Sequence, residues 1–264
     1  MRTWLAPAKL NLFLHVLGQR EDGLHELQTL FQLLDFGDTL KFDIRSDGII
    51  RRLGSPLLPD DDLSVRAARC LQAISGTKLG ADIYLAKRIP VGAGLGGGSS
   101  DAATVLVALN RAWKTGLTPT ELAELGLALG ADVPLFVGGR SAWGEGVGER
   151  LTPVALPVQQ YCIIWPKISV STAAIFADPE LTRNSLPIRI PGPFNGDRHN
   201  DLEPVARRRF PEVGRCLDWL GKFGPAQMSG SGSAVFLALD DAQIGQQIID
   251  QLPGTWDGLI ARGI

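Results

Sequence analysis

The stretch VGAGLGGGSSDA, residues 91–102, constrains this chain more than any other. Five of its first eight residues are glycine, and it runs directly into TVLVALNRAW, whose apolar residues recur at helical spacing. Each glycine costs about 0.5–1 kcal/mol of extra ordering relative to alanine, so a simple turn would not carry five. Glycine lets the backbone adopt positive φ and lets a ligand approach the amides closely. Ahead of a helix, those amides join the unpaired N–H groups and the partial positive charge of the helix N-terminus, and together they favour an anion. The loop therefore reads either as a phosphate cradle or as a tight packing turn with Ser99 and Ser100 as N-caps. The surplus of glycine favours the cradle, formed by Gly92, Gly94, Leu95, Gly96, Gly97, Gly98, Ser99 and Ser100. Asp101 stands where it can orient the loop or help hold a cation. No Lys-Ser/Thr pair follows the glycines, so this is not a Walker A loop, and it is not a clean dinucleotide fingerprint.

The remaining composition narrows the partners. Acids outnumber bases 28 to 26, a net charge of -2, which leaves no basic footprint for nucleic acid. The triplet Arg207, Arg208 and Arg209 reads as a solvated helix face. Three scattered cysteines (Cys70, Cys162 and Cys216) suit reduced thiols rather than a disulfide framework or a zinc site. In MRTWLAPAKLNLFL, Pro7, Lys9 and Asn11 interrupt any signal-peptide core, and no apolar run is long enough to span a bilayer. The expectation is a cytoplasmic protein with neither nucleic acid nor membrane as a partner.

Along the chain, Leu10, Leu12, Leu14 and Val16 alternate with Lys9, Asn11 and His15, as in a half-buried strand with a polar face. QREDG is a turn, LHELQTLFQLLDF a second strand, and DTLKFDIRSDG a third, with Asp47-Gly48 as a hairpin signal. The spacing predicts helices over 61–74, from about Ser100 to Trp113, and after Thr118, where Glu121 completes a capping box. YCIIWP is a buried-strand candidate, STAAIFADPEL a helix start, and 187–201 a loop. A helix interrupted at Pro211, a second glycine turn in MSGSGSAVF feeding a strand, and a last helix in IGQQIIDQL follow. Glycine and proline density marks a boundary near 150, dividing 1–150 from 151–264. Strands and helices mixed without strict alternation point to the α+β class.

PAKLNLFLHVLGQREDGLHEL, PVGAGLGGGSSDAA, LGADVPLFV, DPELTRN and SGSGSAVF, in that order across almost the whole chain, resemble the GHMP small-molecule kinases. The resemblance is nearer to the branch that phosphorylates a cytidine diphosphate-linked methylerythritol in the non-mevalonate isoprenoid pathway than to the homoserine or mevalonate kinases. It implies a two-domain fold: residues 1–150 bind the nucleotide, 151–264 form a substrate-binding domain, and the active site lies in the interdomain cleft. It also implies ATP and Mg²⁺, and transfer of the γ-phosphoryl group to the 2-hydroxyl. Asp132 of GADVP matches the catalytic base, Lys9 its electrostatic partner, and Asn11 lines the same pocket. His25 and Phe176 match the cytosine contacts, with Thr172 nearby; Gly230, Ser231 and Gly232 match the glycine turn that shapes the cleft. Two positions depart from the family pattern. Leu24 stands where the branch carries tyrosine, which removes one face of an aromatic sandwich. Asp62 stands where an asparagine on the adenine side is expected, and a carboxylate cannot donate as an amide does.

Each of these residues also has a plain structural reading: Asp132 as the N-cap before Pro134, Lys9 as a surface strand lysine, His25 as a turn residue, Phe176 as core, and Gly230–Gly232 as a strand-entry turn. Without the resemblance, the first two would prevail. Outside the kinases, the competing reading is a nucleotide-binding module that does no chemistry.

Overall fold

The computed structural model describes residues 2–53, 62–188 and 199–264. In chain order the first elements are β1 (Trp4–Gln19), β2 (His25–Arg45), β3 (Ile50–Leu53), α1 (Leu63–Ser75) and β4 (Gly80–Ala86). They are followed by α2 (Gly97–Trp113), α3 (Pro119–Leu127), α4 (Val133–Gly138), β5 (Ala142–Glu145), β6 (Arg150–Pro153) and β7 (Gln160–Pro166). The last are α5 (Thr172–Phe176), α6 (Glu203–Arg209), α7 (Pro211–Leu220), β8 (Gln227–Met228), β9 (Val235–Leu239), α8 (Ala242–Asp250) and β10 (Trp256–Arg262). The expected α+β class is what the elements show. Among the described residues, no helix is long and apolar enough to cross a membrane. The loop expected over 187–201 and the first residue of the helix expected over 61–74 fall partly outside the described residues.

Two compact units result, and neither is continuous in sequence. The first holds residues 1–8, 36–90 and 96–140; the second holds 9–35, 91–95 and 141–264. A single cut near residue 150 does not describe this division, because residues of β1, β2 and the glycine loop fall in both units.

In the first unit, the end of β2 pairs antiparallel with β4, from Thr39–Ala86 to Arg45–Gly80, and β3 lies parallel to β4. The Asp47-Gly48 hairpin signal is therefore overturned: β3 crosses to β4 instead of folding back on β2. Charge and close backbone approach explain the outcome. Arg45 holds Asp47 and Asp82 together, Arg51 also binds Asp82, and Ala81 N–H donates to Ile49 O at 3.0 Å. A Cβ on Gly80 would lie 2.1 Å from Ile49 O, so glycine is what admits the parallel neighbour. The break expected at Phe36-Gly37 is likewise absent, and β2 runs unbroken for 21 residues. Gly37 is there because Ala6 O would sit 2.1 Å from its Cβ, a close approach rather than a turn.

α1 packs on α2. Val65, Ala67, Ala68 and Leu71 of α1 and Ala102, Val105, Leu106 and Leu109 of α2 are all nearly excluded from solvent. Burying such side chains is worth roughly 1.5–3 kcal/mol for each of the larger ones. The apolar residues at helical spacing on α2 (Ala102, Leu106, Leu109 and Trp113) are buried, but Ile74, which follows Ala67 and Leu71 at the same kind of spacing on α1, is 63% exposed. α3 starts on the Thr118–Glu121 capping box anticipated from sequence.

In the second unit, the start of β2 pairs with β5 (Thr29–Gly144 to Phe31–Ala142), and β5 pairs with β6. Phe13, Leu30 and Trp143 form a small core there. A second sheet runs in the order β10-β7-β9-β8. Its core includes Val16, Ile164, Ile175, Val205, Leu217, Met228 and Val235. The helix interruption expected at Pro211 is present: α6 ends at Arg209 and Pro211 opens α7 as its first residue. Strand β10 was not anticipated. WDGLIAR has weak alternation, and its place is set by pairing with β7 from Trp256–Pro166 to Arg262–Gln160.

Candidate active site

The glycine loop is built as a helix entrance. Gly92, Gly94 and Gly96 have φ of 69°, 74° and 74°, in the left-handed region that L side chains adopt at a cost. Helix α2 begins at Gly97, three residues before the expected start, and its N-cap is Gly96. The reading of Ser99 and Ser100 as caps is thereby corrected. Both lie inside the first turn, and no side chain caps the helix. The amides of Gly97, Gly98 and Ser99 begin a 17-residue helix without an intrahelical acceptor.

Behind this entrance, in the first unit, lies a buried group of charges that composition did not reveal. Lys87 Nζ contacts Asp38 and also Asp101, the latter at 2.7 Å. Asp38 in turn accepts the backbone N–H groups of Arg88 and Ile89, at 2.5 and 2.8 Å. Burial pushes the Asp101 carboxyl up to about 7 against the opposing pull of Lys87, with Asp38 adding to the rise. Two carboxylates thus share one ammonium. The second oxygen of Asp101 and the Ser100 hydroxyl are both buried, with no hydrogen-bond partner among the described residues.

Asp132, also in the first unit, occupies the N-cap position of α4, yet its side chain makes no capping hydrogen bond. The plain structural reading assigned it that cap, and the geometry does not use it so. Asp62 does act as a cap. Its carboxylate accepts the N–H groups of Ser64 and Val65 at 2.9 and 3.1 Å and pairs with Arg52 at 2.9 Å, so the α1 start consumes it.

In the second unit, the polar face of β1 is not a solvent face: Lys9, Asn11 and His15 are all at most 5% exposed. Lys9 Nζ donates to Asn11 Oδ1 at 2.5 Å and stands 5.6 Å from the Phe31 ring centroid. Asn11 Nδ2 donates to Thr29 Oγ1 at 2.9 Å, and Thr29 Oγ1 to Phe13 O at 2.6 Å, which fixes the amide orientation. Lys9 N–H bonds Leu95 O at 3.0 Å, tying β1 to the glycine loop. The second glycine turn closes on the same place. Ser229 Oγ accepts Asn11 N–H and donates to Gly94 O, at 3.2 and 3.1 Å. A Cβ on Gly230 would lie 3.1 Å from Asn11 Oδ1 and 3.4 Å from Lys9 Nζ. Gly230 and Gly232 have φ of 56° and 84°, and Ser231 Oγ lies 2.7 Å from Thr172 Oγ1. The structure thus brings Lys9, Asn11, Gly94, Leu95 and Gly230 together, and links Thr172 to Ser231.

A third cluster in the second unit surrounds His25. Its ring lies 5.0 Å from that of Phe176 at an interplanar angle of 34°. Phe176 is partly buried against the core and still presents a face to the imidazole. Leu24 is 51% exposed and offers no aromatic cover. Arg183 Nε donates to His25 Nε2 at 3.0 Å. The basic triplet is not a free solvated face either. Arg208 and Arg209 clamp the buried Asp178, and Arg207 bridges Glu203 and Asp218.

Lys87, Asp38, Arg183, Ser229 and Asn200 escaped the sequence reading. Asn200 Nδ2 holds the second glycine turn through Met228 O and Gly230 O, at 2.9 and 2.8 Å. Arg183 lies within DPELTRN and Lys87 immediately before RIPVGAG, so adjacency to recognisable segments was the available signal.

The matching family models are the GHMP kinases N terminal domain over residues 62–140 and the GHMP kinases C terminal over 193–258. A 4-diphosphocytidyl-2-C-methyl-D-erythritol kinase of Alkalilimnicola ehrlichii is 54% identical over 100% of this chain and 91% of its own length. A solved 4-(cytidine 5'-diphospho)-2C-methyl-D-erythritol kinase superimposes with a TM-score of 0.85 at 36% identity, covering 99% of each chain. The Methanococcus jannaschii mevalonate kinase, at a TM-score of 0.72 and 14% identity over 100% of this chain and 98% of its own, shares the fold alone. With a glycine-capped helix entrance, a buried lysine–asparagine pair and full-length likeness of this degree, the chain belongs to the GHMP kinase family, on the branch of its 4-diphosphocytidyl-2-C-methyl-D-erythritol kinases.

Proposed function

We propose that this chain transfers the γ-phosphoryl group of ATP to the 2-hydroxyl of 4-diphosphocytidyl-2-C-methyl-D-erythritol, releasing ADP. One observation carries the phosphoryl-transfer reading. Helix α2 starts behind three left-handed glycines with no side chain on its first amides, and the buried Ser100 Oγ and Asp101 Oδ1 beside it have no partner among the described residues. Uncapped amides at a helix N-terminus suit phosphate oxygens. A hydroxyl and a carboxylate oxygen are hard donors of the kind Mg²⁺ takes alongside phosphates. Ser100 and Asp101 are therefore the residues that would hold Mg²⁺, whose chemistry is to neutralise charge on the phosphates.

In the reaction, the bond from the γ-phosphorus to its bridging oxygen breaks as a bond to the substrate's 2-hydroxyl oxygen forms. The hydroxyl proton passes to a base, and Asp132 is assigned that role. The assignment is supported by its match, as the acid of GADVP, to the family's base. Lys9, held by Asn11, supplies positive charge for the developing phosphoryl oxyanions. At the other end of the substrate, His25 and Phe176 form a platform for the cytosine. The substrate assignment rests on the 54% identical relative and on this pair. The enzyme so described works on water-soluble small molecules, consistent with a cytoplasmic setting.

The test is ADP release with Mg²⁺·ATP across a panel: the cytidylyl methylerythritol, its uridine analogue, free methylerythritol phosphate, homoserine and mevalonate. Turnover confined to the cytidylyl compound is expected. Turnover on homoserine or mevalonate instead would overturn the substrate, and ATP binding without turnover on any alcohol would overturn the kinase reading.

A further inference from the structure

His25 is held in an unusual way. Its Nε2 lies 3.0 Å from Arg183 Nε, and a guanidinium has donors only and keeps its protons. The histidine nitrogen in that contact must therefore carry the lone pair. A neutral imidazole with Nε2 bare has its proton on Nδ1, and Nδ1 makes no hydrogen bond among the described residues. Burial and the Arg183 charge both act against a second proton, and hold the His25 pKa below its ordinary value.

Arg183 is not free to turn away. Its Nη2 donates to Phe176 O at 2.9 Å and Asp178 O at 2.8 Å, and its Nη1 donates to Leu181 O at 3.2 Å. The guanidinium is thus clamped by the backbone of the segment that carries Phe176. That segment is itself anchored, because Arg208 and Arg209 grip the Asp178 carboxylate, which is 2% exposed. One side chain consequently sets both the ring that stacks and the protonation of the ring it stacks on.

We propose that Arg183 is a positioning residue of the base subsite. It locks His25 as the Nδ1–H tautomer, making the imidazole a donor only, and so favours a pyrimidine whose ring nitrogen is a bare acceptor over one whose ring nitrogen carries hydrogen. Cytosine N3 is such an acceptor, whereas uracil N3–H is a donor and meets another donor. This inference rests on the reading of His25 and Phe176 as the platform for the base.

The first test needs no variant. The chain has three histidines, and in ¹⁵N-histidine-labelled protein the His25 signals should show a pyrrole-type shift at Nδ1 and a pyridine-type shift at Nε2. The reverse pattern overturns the proposal. In Arg183→Met, the Nε2–H tautomer should become populated. KM for the cytidylyl substrate should rise about tenfold, the scale of one lost charge-assisted hydrogen bond, with kcat within about twofold. The preference for cytidine over the uridine analogue should fall by a similar factor. Arg183→Lys, which keeps one donor, should recover part of the preference, and it serves if the methionine variant does not fold. Unchanged tautomer, KM and preference in these variants overturn the role of Arg183. If His25→Ala also leaves KM and base preference unchanged, it is the base-platform reading itself that fails.

Discussion

Two glycines of the same loop, Gly94 and Gly98, should respond oppositely to alanine. Gly94 has φ of 74°, which costs an L residue about 1–2 kcal/mol. Its Cβ would lie 2.2 Å from Ser229 O, whereas ordinary contact begins at 3.4 Å, a shortfall of 1.2 Å against backbone. Ser229 cannot retreat cheaply. Its carbonyl accepts Gly232 N–H at 3.0 Å, and its hydroxyl bridges Asn11 N–H and Gly94 O. With each such bond worth about 0.5–1.5 kcal/mol, Gly94→Ala should cost about 3–5 kcal/mol. For a chain of this size that lowers Tm by about 6–12 °C, and kcat/KM falls with it because Lys9 and Asn11 pack on the same turn. Gly98 lies inside α2 without positive φ, and its Cβ would meet only Leu63 Cδ1 at 3.4 Å. Gly98→Ala should therefore raise stability by about 0.5–1 kcal/mol, the ordinary helix gain over glycine. Differential scanning calorimetry of both variants beside the parent decides the matter. A Gly94→Ala protein melting within about 2 °C of the parent would refute this reasoning, as would equal damage from Gly98→Ala.

Other expectations follow from the site. Asp132→Asn should lower kcat by roughly 10²–10⁴-fold while far-UV circular dichroism stays unchanged; near-normal turnover would remove it from the base role. Asp101 is a carboxyl whose folded pKa, about 7, lies above its unfolded value. Its contribution is thus fully present below about pH 4 and is lost as pH rises toward 7. Asp101→Asn should flatten that decline, gaining about 2–4 kcal/mol relative to the parent at pH 8 and little at pH 4, as read by urea unfolding at each pH. Phe176→Ala should raise KM for the cytidylyl substrate by about 10–100-fold through lost base stacking. Leu24→Tyr, at a position 51% exposed, should lower KM; a rise would show that Leu24 does not border the base.

Much of the local structure could be read from the chain because it depends on neighbours in sequence. The Thr118–Glu121 capping box, the apolar stripe of α2 and the helix stop at Pro211 all rest on contacts within a few residues. The positive φ angles of the glycine loop show in its residue types, because only glycine takes them easily, although Ser229 and Lys9 pin the loop from far along the chain. The family segments were legible for the same reason: each is a short string whose residue types the chemistry demands.

What the sequence could not decide was partnership at a distance. Asp47-Gly48 signals a hairpin locally, but Arg45, Arg51 and Asp82 draw β3 to β4. Lys9 and Asn11 read as a solvated strand face until β2 and the second glycine turn cover them. Lys87, fourteen residues from Asp101 and farther still from Asp38, joins them only through folding. Arg183 reaches His25 across 158 positions of chain. Residue type and short spacing determined the glycine-rich entrance to α2 and the GHMP kinase signature. Which charges are buried together, and which tautomer a histidine holds, were decided by contacts whose partners no local pattern names, because burial and hydrogen-bond geometry exist only once distant segments meet.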